Sequence, residues 1–356
     1  MQNSFIRKFL GSKIGWLYMA SIGVVLCATL LGLFVSSVKF PIPTILHIVA
    51  DKSFGLGWLT DVPKNEELII WNIRVPRVLL AFLVGASLSL AGAAFQGLLR
   101  NPLADPYTIG VSSGAALGAV TVLFFQYTIW GLGSYTLPIV AIISGFLTLF
   151  VVFGIVRLSS RSLAIETIIL AGIIVGAFVG ALTSLMISLG DRDAMTQIMY
   201  WLYGSVAMRG WSHVQLIIPF LVIGSIILLA HYRELNALAL GEEAADHIGV
   251  NVKRGKILIL IGASLLTGSA VAVSGSIGFV GLVVPHLVRL MTGPNHRNVL
   301  PLSILLGGSF LVFADLLART IIAPQELPIG VITALIGAPV FALLLIRDRM
   351  GRGESR

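Results

Sequence analysis

Long apolar runs separated by short polar breaks form the main pattern of this 356-residue chain. A helix needs about 20 apolar residues to cross the hydrocarbon core of a bilayer. Runs of this length recur throughout the sequence, which predicts an all-α, polytopic membrane protein with about ten transmembrane helices. The predicted spans are residues 14–36, 78–99, 107–125, 137–156, 165–189, 214–231, 257–273, 277–290, 300–318 and 329–346.

One break in the pattern lies between the second and third spans, at Asn101-Pro102-Leu103 and Asp105-Pro106. Proline lacks the backbone N–H and disfavours helix in the residue before it, so both pairs interrupt the helix. Irregular backbone at membrane depth is tolerated only where protein or water satisfies its polar groups. The break therefore predicts a hairpin of two helices whose tip lies against protein or water rather than lipid.

Composition agrees with a chain that lies mostly in lipid. Charged residues make up 11% of the chain and apolar residues 57%, whereas soluble domains carry about 25% charged residues. The first apolar run is too long for a signal peptide and has no small-residue cleavage site after it, so it predicts a first membrane span. Cys27 is the single cysteine, which excludes an internal disulfide and makes it a small packing residue.

The basic residues predict the orientation of the spans. With ten spans, the side that carries both termini holds 16 of the 24 Lys and Arg residues, while the acidic residues divide evenly. This bias places both termini in the cytoplasm. The whole chain, residues 1–356, is then one membrane domain with two long connections: an outer loop at residues 38–73 that holds one short helix, and a cytoplasmic loop at residues 232–256. Within the latter, residues 234–249 predict a helix, a break at Gly241 and a second helix.

The sequence offers little catalytic chemistry. It has no phosphate-binding loop, no zinc-protease motif and no paired cysteines, and its six histidines are scattered. We therefore predict no catalytic residue, no metal site and no cofactor, with His286 as a structural residue. A carrier driven by protons or sodium usually needs a carboxylate near the bilayer midplane, and no convincing one is present. The driving energy is then expected from a separate subunit.

Four ordered stretches carry a resemblance to a known family. They are RVPR with the hairpin that follows at residues 74–118, LALGEEAADHIGV at 238–250, SGSIGFVGLVVPHLVRL at 274–290 and ELPIGVITALIGAPVFALLL at 326–345. Together they resemble the permease subunits of ATP-binding-cassette importers for iron–siderophores, haem and cobalamin, the FecCD-type family. The resemblance covers nearly the whole chain.

This resemblance implies a bacterial plasma (inner) membrane permease without enzymatic activity of its own. Its expected partners are a cytoplasmic ATPase dimer, an extracytoplasmic substrate-binding protein, and a second permease copy or a related permease in the bilayer; no nucleic acid is expected. The best expectation for the cargo is a ferric siderophore, with cobalamin or haem as alternatives. A secondary carrier is a distant alternative, and an intramembrane hydrolase is more distant still.

The resemblance also implies roles for particular residues. Docking of the binding protein is expected at Arg74, Arg77 and Arg319, for which anchoring at lipid headgroups or pairing of Arg319 with Asp315 is the alternative. A cytoplasmic gate is expected at Asn101, Pro102 and Leu103, for which a plain structural turn is the alternative. Contacts with the ATPase are expected in the cytoplasmic loop, at Leu238, Gly241, Glu242, Ala245 and Ile248.

A pathway for a bulky chelate should be wide and weakly adhesive, so we expect uncharged residues to line it. The candidates are Gly180, Thr183, Ser184, Ser274 and Ser276. Gly172 and Gly176 share a helix face with Gly180, a spacing that also serves close helix packing. A weak echo between residues 84–97 and 261–275 suggests an inverted repeat that pairs the second span with the seventh, with chance similarity of small residues as the alternative.

Overall fold

The computed structural model describes residues 13–36, 38–55, 62–159 and 164–353. Four basic residues of the orientation count, Arg7, Lys8, Arg161 and Arg356, lie outside the described residues, as do residues 37 and 56–61 of the outer loop. The described residues form helices joined by turns and short irregular segments, and each predicted span overlaps a helix. The helices are α1 (Lys13–Phe34), α2 (Ile42–Phe54), α3 (Lys64–Leu68), α4 (Val75–Leu98), α5 (Val111–Phe125), α6 (Thr136–Ser159), α7 (Ile165–Leu189), α8 (Arg192–Leu202), α9 (Trp211–Ala230), α10 (Tyr232–Leu238), α11 (Glu242–His247), α12 (Val252–Ser274), α13 (Val280–Thr292), α14 (His296–Thr320) and α15 (Ile329–Gly353).

Seven of the described helices are long and apolar enough to cross a membrane. The other three predicted spans correspond to shorter apolar helices, namely α5, α13 and the first part of α15. Two of them are short because part of the predicted span is irregular: a 3₁₀ turn at Pro106–Ile109 precedes α5, and residues 275–279 precede α13. The count of ten spans and the position of the termini remain predictions.

The outer loop is shorter than predicted. Its expected short helix exists as α2, but helix begins again at Lys64 and runs through a π-helical stretch, Ile69–Arg74, directly into α4. The predicted second span began only at residue 78, after Pro76. Pro76 instead lies in the first turn of α4, where proline costs no hydrogen bond within that helix, and the π-helical turn accommodates the change.

The centre of the bundle is formed by α4 and α12. In their most apolar windows 83% and 78% of residues are buried, against 22% to 39% in α1, α6, α7 and α9. Both helices are rich in Gly, Ala and Ser, and small residues let helix backbones approach closely in lipid. At Gly92 of α4 an added Cβ would overlap the carbonyl oxygen of Gly281 in α13. These central helices are also the two that share the sequence echo, and each precedes an irregular break and a short helix.

One helix was not predicted. The 11-residue α8 follows α7 and is too polar and too short to count as a span. Its start is marked by Asp191, whose side chain accepts a hydrogen bond from the backbone N–H of Ala194 at 2.7 Å. The sequence offers this helix start as an N-cap residue, Asp191, followed by a segment that mixes polar and apolar residues.

Three chain breaks meet in a glycine junction formed by Gly204, Gly275 and Gly330. An added Cβ at Gly204 would lie 2.5 Å from the carbonyl oxygen of Ser276, while one at Gly275 or Gly330 would overlap the carbonyl oxygen of Trp201 or Tyr203. The backbone N–H of Ser205 also donates to the carbonyl oxygen of Ser274 at 2.7 Å. The end of α8, the end of α12 and the start of α15 are therefore in direct backbone contact.

Candidate transport and coupling sites

A cluster of charged side chains ties together the ends of the helices that the sequence predicts to face outward. Arg77 of α4 donates hydrogen bonds from Nε and Nη2 to the carboxylate of Asp315 in α14, at 2.9 to 3.1 Å. Its Nη1 donates to the carboxylate of Glu326 at 2.8 Å. The predicted pair of Arg319 with Asp315 is present, with 3.7 Å between Nε and Oδ2. A bidentate arginine–carboxylate contact is both strong and directional. We call Arg74, Arg77, Asp315, Arg319 and Glu326 the outer charge cluster.

The two remaining arginines of the cluster point into the protein. Arg74 is 3% exposed, donates to the carbonyl oxygens of Leu33 (3.3 Å) and Val38, and stacks over Phe40. Arg319 is 5% exposed and donates to the carbonyl oxygen of Gly32 at 2.5 Å. In this conformation both arginines anchor the end of α1 rather than present a free surface. Only Arg77 and the half-exposed Glu326 reach the surface, so a docking partner would meet those two first.

The predicted gate is an ordered turn. Asn101, Pro102 and Leu103 are all exposed, and the Asn101 side chain accepts a hydrogen bond from the backbone N–H of Leu103 at 2.9 Å. Asp105 caps the following 3₁₀ turn by accepting from the Tyr107 N–H at 2.9 Å, and burial raises the pKa of its carboxyl to about 6. The turn therefore holds the Leu103 side chain outward at a fixed position.

The break after α4 is bonded to the break after α12. The Tyr107 hydroxyl donates to the carbonyl oxygen of Ile277 at 2.7 Å and accepts from its N–H at 3.1 Å. Gln96 of α4 donates to the carbonyl oxygens of Gly281 and Leu282, both at 3.1 Å, and accepts from Arg289 of α13. Sequence analysis missed Gln96, Tyr107 and Arg289, although each is a polar residue in or beside a predicted span, where such residues usually have a specific partner.

The cytoplasmic loop folds as predicted, into α10, a break at Gly241 and α11. Gly241 has a φ of 121°, a conformation that residues with a side chain rarely adopt. Two of the five loop residues predicted to contact the ATPase, Leu238 and Ala245, are buried in the chain at 1% and 0% exposure. They hold the loop on the bundle, which corrects their expected role. A partner could reach Gly241, Glu242 and Ile248, together with the exposed Leu240.

The loop is connected to the rest of the bundle at several points, and in α10 the side chain of Asn236 accepts a hydrogen bond from the backbone N–H of His296 at 2.9 Å. Glu242, the first residue of α11, forms an ion pair with Lys256 of α12, whose side chain is 4% exposed. Gly241 lies beside the end of α4: a Cβ added there would be 3.7 Å from Nη1 of Arg100, the residue before the gate. A cavity of about 740 Å³ separates this loop from the start of α7 and is lined by charged side chains, among them Glu166, Asp246 and Lys253.

The predicted pathway residues do not share one environment. Thr183 and Ser274 are buried, and their hydroxyls bond to the carbonyl oxygens of Val179 (3.0 Å) and Ala270 (2.8 Å) of their own helices. These two pack inside the chain in this conformation and line no open space. Ser184 is exposed, and Gly180, about one turn earlier on the same helix, has nothing within 4 Å of an added Cβ. Ser276 is partly exposed.

The glycines of α7 show where the helix leaves the bundle. At Gly172 an added Cβ would lie 2.6 Å from the carbonyl oxygen of Thr108, at Gly176 the nearest neighbour is at 3.5 Å, and at Gly180 space is open. The close-packing interpretation is therefore confirmed at Gly172. Near Gly180 the helix face is free for a pathway or for a second subunit.

Comparison with known proteins decides the family. The model of the FecCD transport family matches residues 24–347. The chain belongs to the FecCD transport family. An uncharacterized ABC transporter permease protein of Bacillus subtilis (strain 168) is 50% identical to this FecCD permease over 351 residues, which cover 99% of each chain.

Two further comparisons agree. A cobalamin import system permease protein of Halobacterium salinarum is 44% identical over 322 residues, which cover 85% of this FecCD permease and 83% of that protein. A solved structure of an inward-facing ABC transporter, provisionally assigned to the metal-chelate type, superposes with a TM-score of 0.79 at 32% identity, covering 92% of this chain and 98% of that chain.

Membership settles the general role of the chain. Permeases of this family are multi-pass transport subunits of the inner membrane, and a separate ATPase subunit hydrolyses ATP.

Within the described residues, no group of three or more His, Cys, Asp or Glu side chains could hold a metal ion. His286 is 8% exposed, and its ring is T-shaped to that of Phe341, with 6.4 Å between ring centroids.

Proposed function

We propose that this FecCD permease forms, as a dimer, the pathway of an ATP-driven importer for a ferric siderophore. A substrate-binding protein docks at the outer charge cluster through Arg77 and Glu326, and two ATPase subunits dock on the cytoplasmic loop. The dimer partner is a second copy or a related permease. Cobalamin and haem are the alternative cargoes, because members of this family are named for different substrates.

The observation that carries this proposal is the connection between the cytoplasmic loop and the gate. The exposed Leu240 and Ile248 offer apolar side chains to a soluble partner, and α10 of the same loop packs against α4, the helix that leads into the gate turn. A displacement of the loop acts on two elements at once: it moves α12 through the Glu242–Lys256 ion pair and α4 through the packing of α10. ATP-dependent movement of the loop would therefore reach Asn101 and Leu103 without a long relay.

The intramembrane charges argue against a secondary carrier. Asp315 is the buried carboxylate of α14, and it is already paired with Arg77 and Arg319. A carboxylate neutralised by two arginines is poorly suited to bind and release a coupling proton or sodium ion. The energy source that fits the described residues is the subunit beneath the loop.

The test is a charge exchange across the ion pair, measured as uptake of a ferric siderophore per ATP hydrolysed in proteoliposomes that contain the whole importer. Glu242→Lys and Lys256→Glu should each lower coupled uptake about tenfold or more, since each places like charges together. The double variant should recover most of the uptake. Asp193→Lys, which changes an exposed acid of α8 far from the loop in sequence, is the matched control and should behave like the unmodified protein.

Two results would contradict the proposal. The first is a double variant no better than the single variants, which would show that the ion pair does not carry the coupling. The second is accumulation of cargo by the permease alone, without ATPase and binding protein, which would establish a carrier. Competition between a ferric siderophore, cobalamin and haem for uptake assigns the cargo.

A further inference from the structure

A pocket of about 810 Å³ lies beside the outer charge cluster and has no role in the account given so far. Its walls come from the ends of α5 and α6, from α8, from residues 205–209 and from residues 325–328. The volume falls in the range of about 300 to 1,000 Å³ that is typical of small-molecule sites. Tyr200 and Trp201 supply aromatic walls, and the exposed Met208 stands at the rim.

Arg209 is the unusual residue of this pocket. Its Nε is shielded from solvent and has no hydrogen-bond partner, and within the described part of the chain no carboxylate pairs with its guanidinium. Burial lowers the pKa of Arg209, but an arginine stays charged at any physiological pH. A partly buried cation without an anionic partner costs free energy, and an anion that enters the pocket would offset this cost.

The neighbouring polar groups do not provide that anion. Glu326 also lines the pocket, but its carboxylate is bonded to Nη1 of Arg77 at 2.8 Å. The indole N–H of Trp201, which is 5% exposed, likewise has no acceptor. Two donors of the pocket wall, the Nε–H of Arg209 and the indole N–H of Trp201, thus lack an acceptor, and aromatic and aliphatic side chains such as Tyr200 and Leu137 lie around them.

We propose that this pocket recognises a carboxylate of the cargo, with Arg209 as its partner, and that the permease accordingly favours iron complexes that carry free carboxylates. This inference rests on the proposed function and names the substrate class within it. A pocket with apolar walls and one cation suits a compact chelate that presents a carboxylate beside an apolar body. The position of the pocket next to Arg77 and Glu326 places it where a docked binding protein would release its cargo.

The experiment measures chelate binding to the whole transporter, with its ATPase subunits, in lipid nanodiscs. The probes are ferric citrate, which has free carboxylates, and ferrichrome, a neutral hydroxamate chelate. Arg209→Gln should weaken ferric citrate binding by about tenfold or more and leave ferrichrome binding unchanged, while Arg209→Lys should retain part of the affinity. Arg192→Gln, at the start of α8 and outside the pocket, is the matched control and should bind ferric citrate normally.

Equal binding of ferric citrate by Arg209→Gln and the unmodified transporter, both with the same thermal stability, would overturn the inference. It is also overturned if Arg209→Gln weakens only the docking of the binding protein, because Arg209 would then belong to the protein interface. Failure of the proposed function has a different signature: the unmodified importer would show no ATP-driven uptake of any ferric chelate, whatever the effect of Arg209→Gln on binding.

Discussion

Asp315 is the residue on which the outer charge cluster depends. Its carboxylate is 1% exposed and lies between Arg77 and Arg319, two arginines that are themselves largely buried. A buried ion pair is weak evidence for stability when it is compared with an apolar replacement, but removing one member leaves uncompensated charge in a poorly hydrated place. The carboxylate is therefore expected to matter more than any single arginine around it.

We predict that Asp315→Asn destabilises the protein by about 3 to 5 kcal/mol, the usual cost of breaking a buried ion pair. The measurement is thermal unfolding of the detergent-purified protein, where the midpoint should fall by several degrees. Glu326→Gln is the control, because that carboxylate is 42% exposed and its loss should cost less than about 1 kcal/mol. Equal shifts for the two variants would refute the argument.

Asp105 gives a prediction about pH. Its pKa is about 6 in the folded chain, against about 3.9 in an unfolded chain, so the folded form holds this proton more tightly. The stability contribution of Asp105 is therefore largest at low pH and declines as the pH rises from about 4 to about 6. Asp105→Asn keeps an acceptor for the Tyr107 N–H and should lack this decline. Thermal midpoints measured across that range test it, and the same slope in both proteins would count against the assignment.

Single residues show how far the sequence can be used. The pair of Asp315 with Arg319 was predictable, because residues four apart lie on one helix face. Its stronger partner, Arg77, is 238 positions away, and nothing in the local pattern indicates which helix faces which. The same limit applies to Arg74 and to Ser274, whose types and positions were identified but whose burial depends on the rotation of α4 and α12.

Among the helices, α4 is the one most constrained by its neighbours. The backbone of Gly92 is so close to Gly281 in α13 that any side chain at position 92 would overlap a carbonyl oxygen. Backbone, unlike the end of a flexible side chain, cannot move aside cheaply. Contact between α4 and α13 therefore depends on the absence of a single methyl group.

We expect Gly92→Ala to lower the thermal midpoint and the yield of folded protein, although alanine is intrinsically the better helix former by about 1 kcal/mol. Gly154→Ala in α6 is the matched control, since nothing lies within 4 Å of a Cβ there, and it should be neutral or slightly stabilising. Both variants can be compared by unfolding in the same detergent. A Gly92→Ala protein as stable as the Gly154→Ala protein would show that α13 is free to move away.

At the level of elements the sequence was informative for spans and weaker for what lies between them. Lipid forces every backbone polar group into an internal hydrogen bond, so apolar length alone predicted the seven described helices that are long enough to cross a membrane. The cytoplasmic loop was predictable because Gly241 separates two short helical patterns. In contrast, α8 was not predicted, and the helix that begins at Lys64 was predicted to begin only at residue 78. Amphipathic or charged segments at the membrane surface can hydrogen-bond to water, so apolar length does not indicate where they are helical.

For the molecule as a whole, the orientation in the membrane can be tested with two exposed sites. Trp130 lies in the connection between α5 and α6, predicted to face outward, and Leu240 lies in the loop predicted to face the cytoplasm; both are exposed. In a Cys27→Ser background, Trp130→Cys should react with a membrane-impermeant maleimide in intact spheroplasts. Leu240→Cys should react only after the membrane is permeabilised, and the reverse pattern would invert the predicted topology.

The glycine junction has a consequence for how related permeases can exchange parts. The end of α8, the end of α12 and the start of α15 meet there mainly through backbone, at Gly204, Gly275 and Gly330. These segments are far apart in the sequence, yet none has space to adjust to a foreign neighbour. A chimera that takes one of them from a homologue with different curvature would create a steric conflict that no surface substitution can relieve, whereas a transplant of all three together would carry its own fit. In this part of the molecule, the three distant segments must therefore be exchanged between homologues together rather than one at a time.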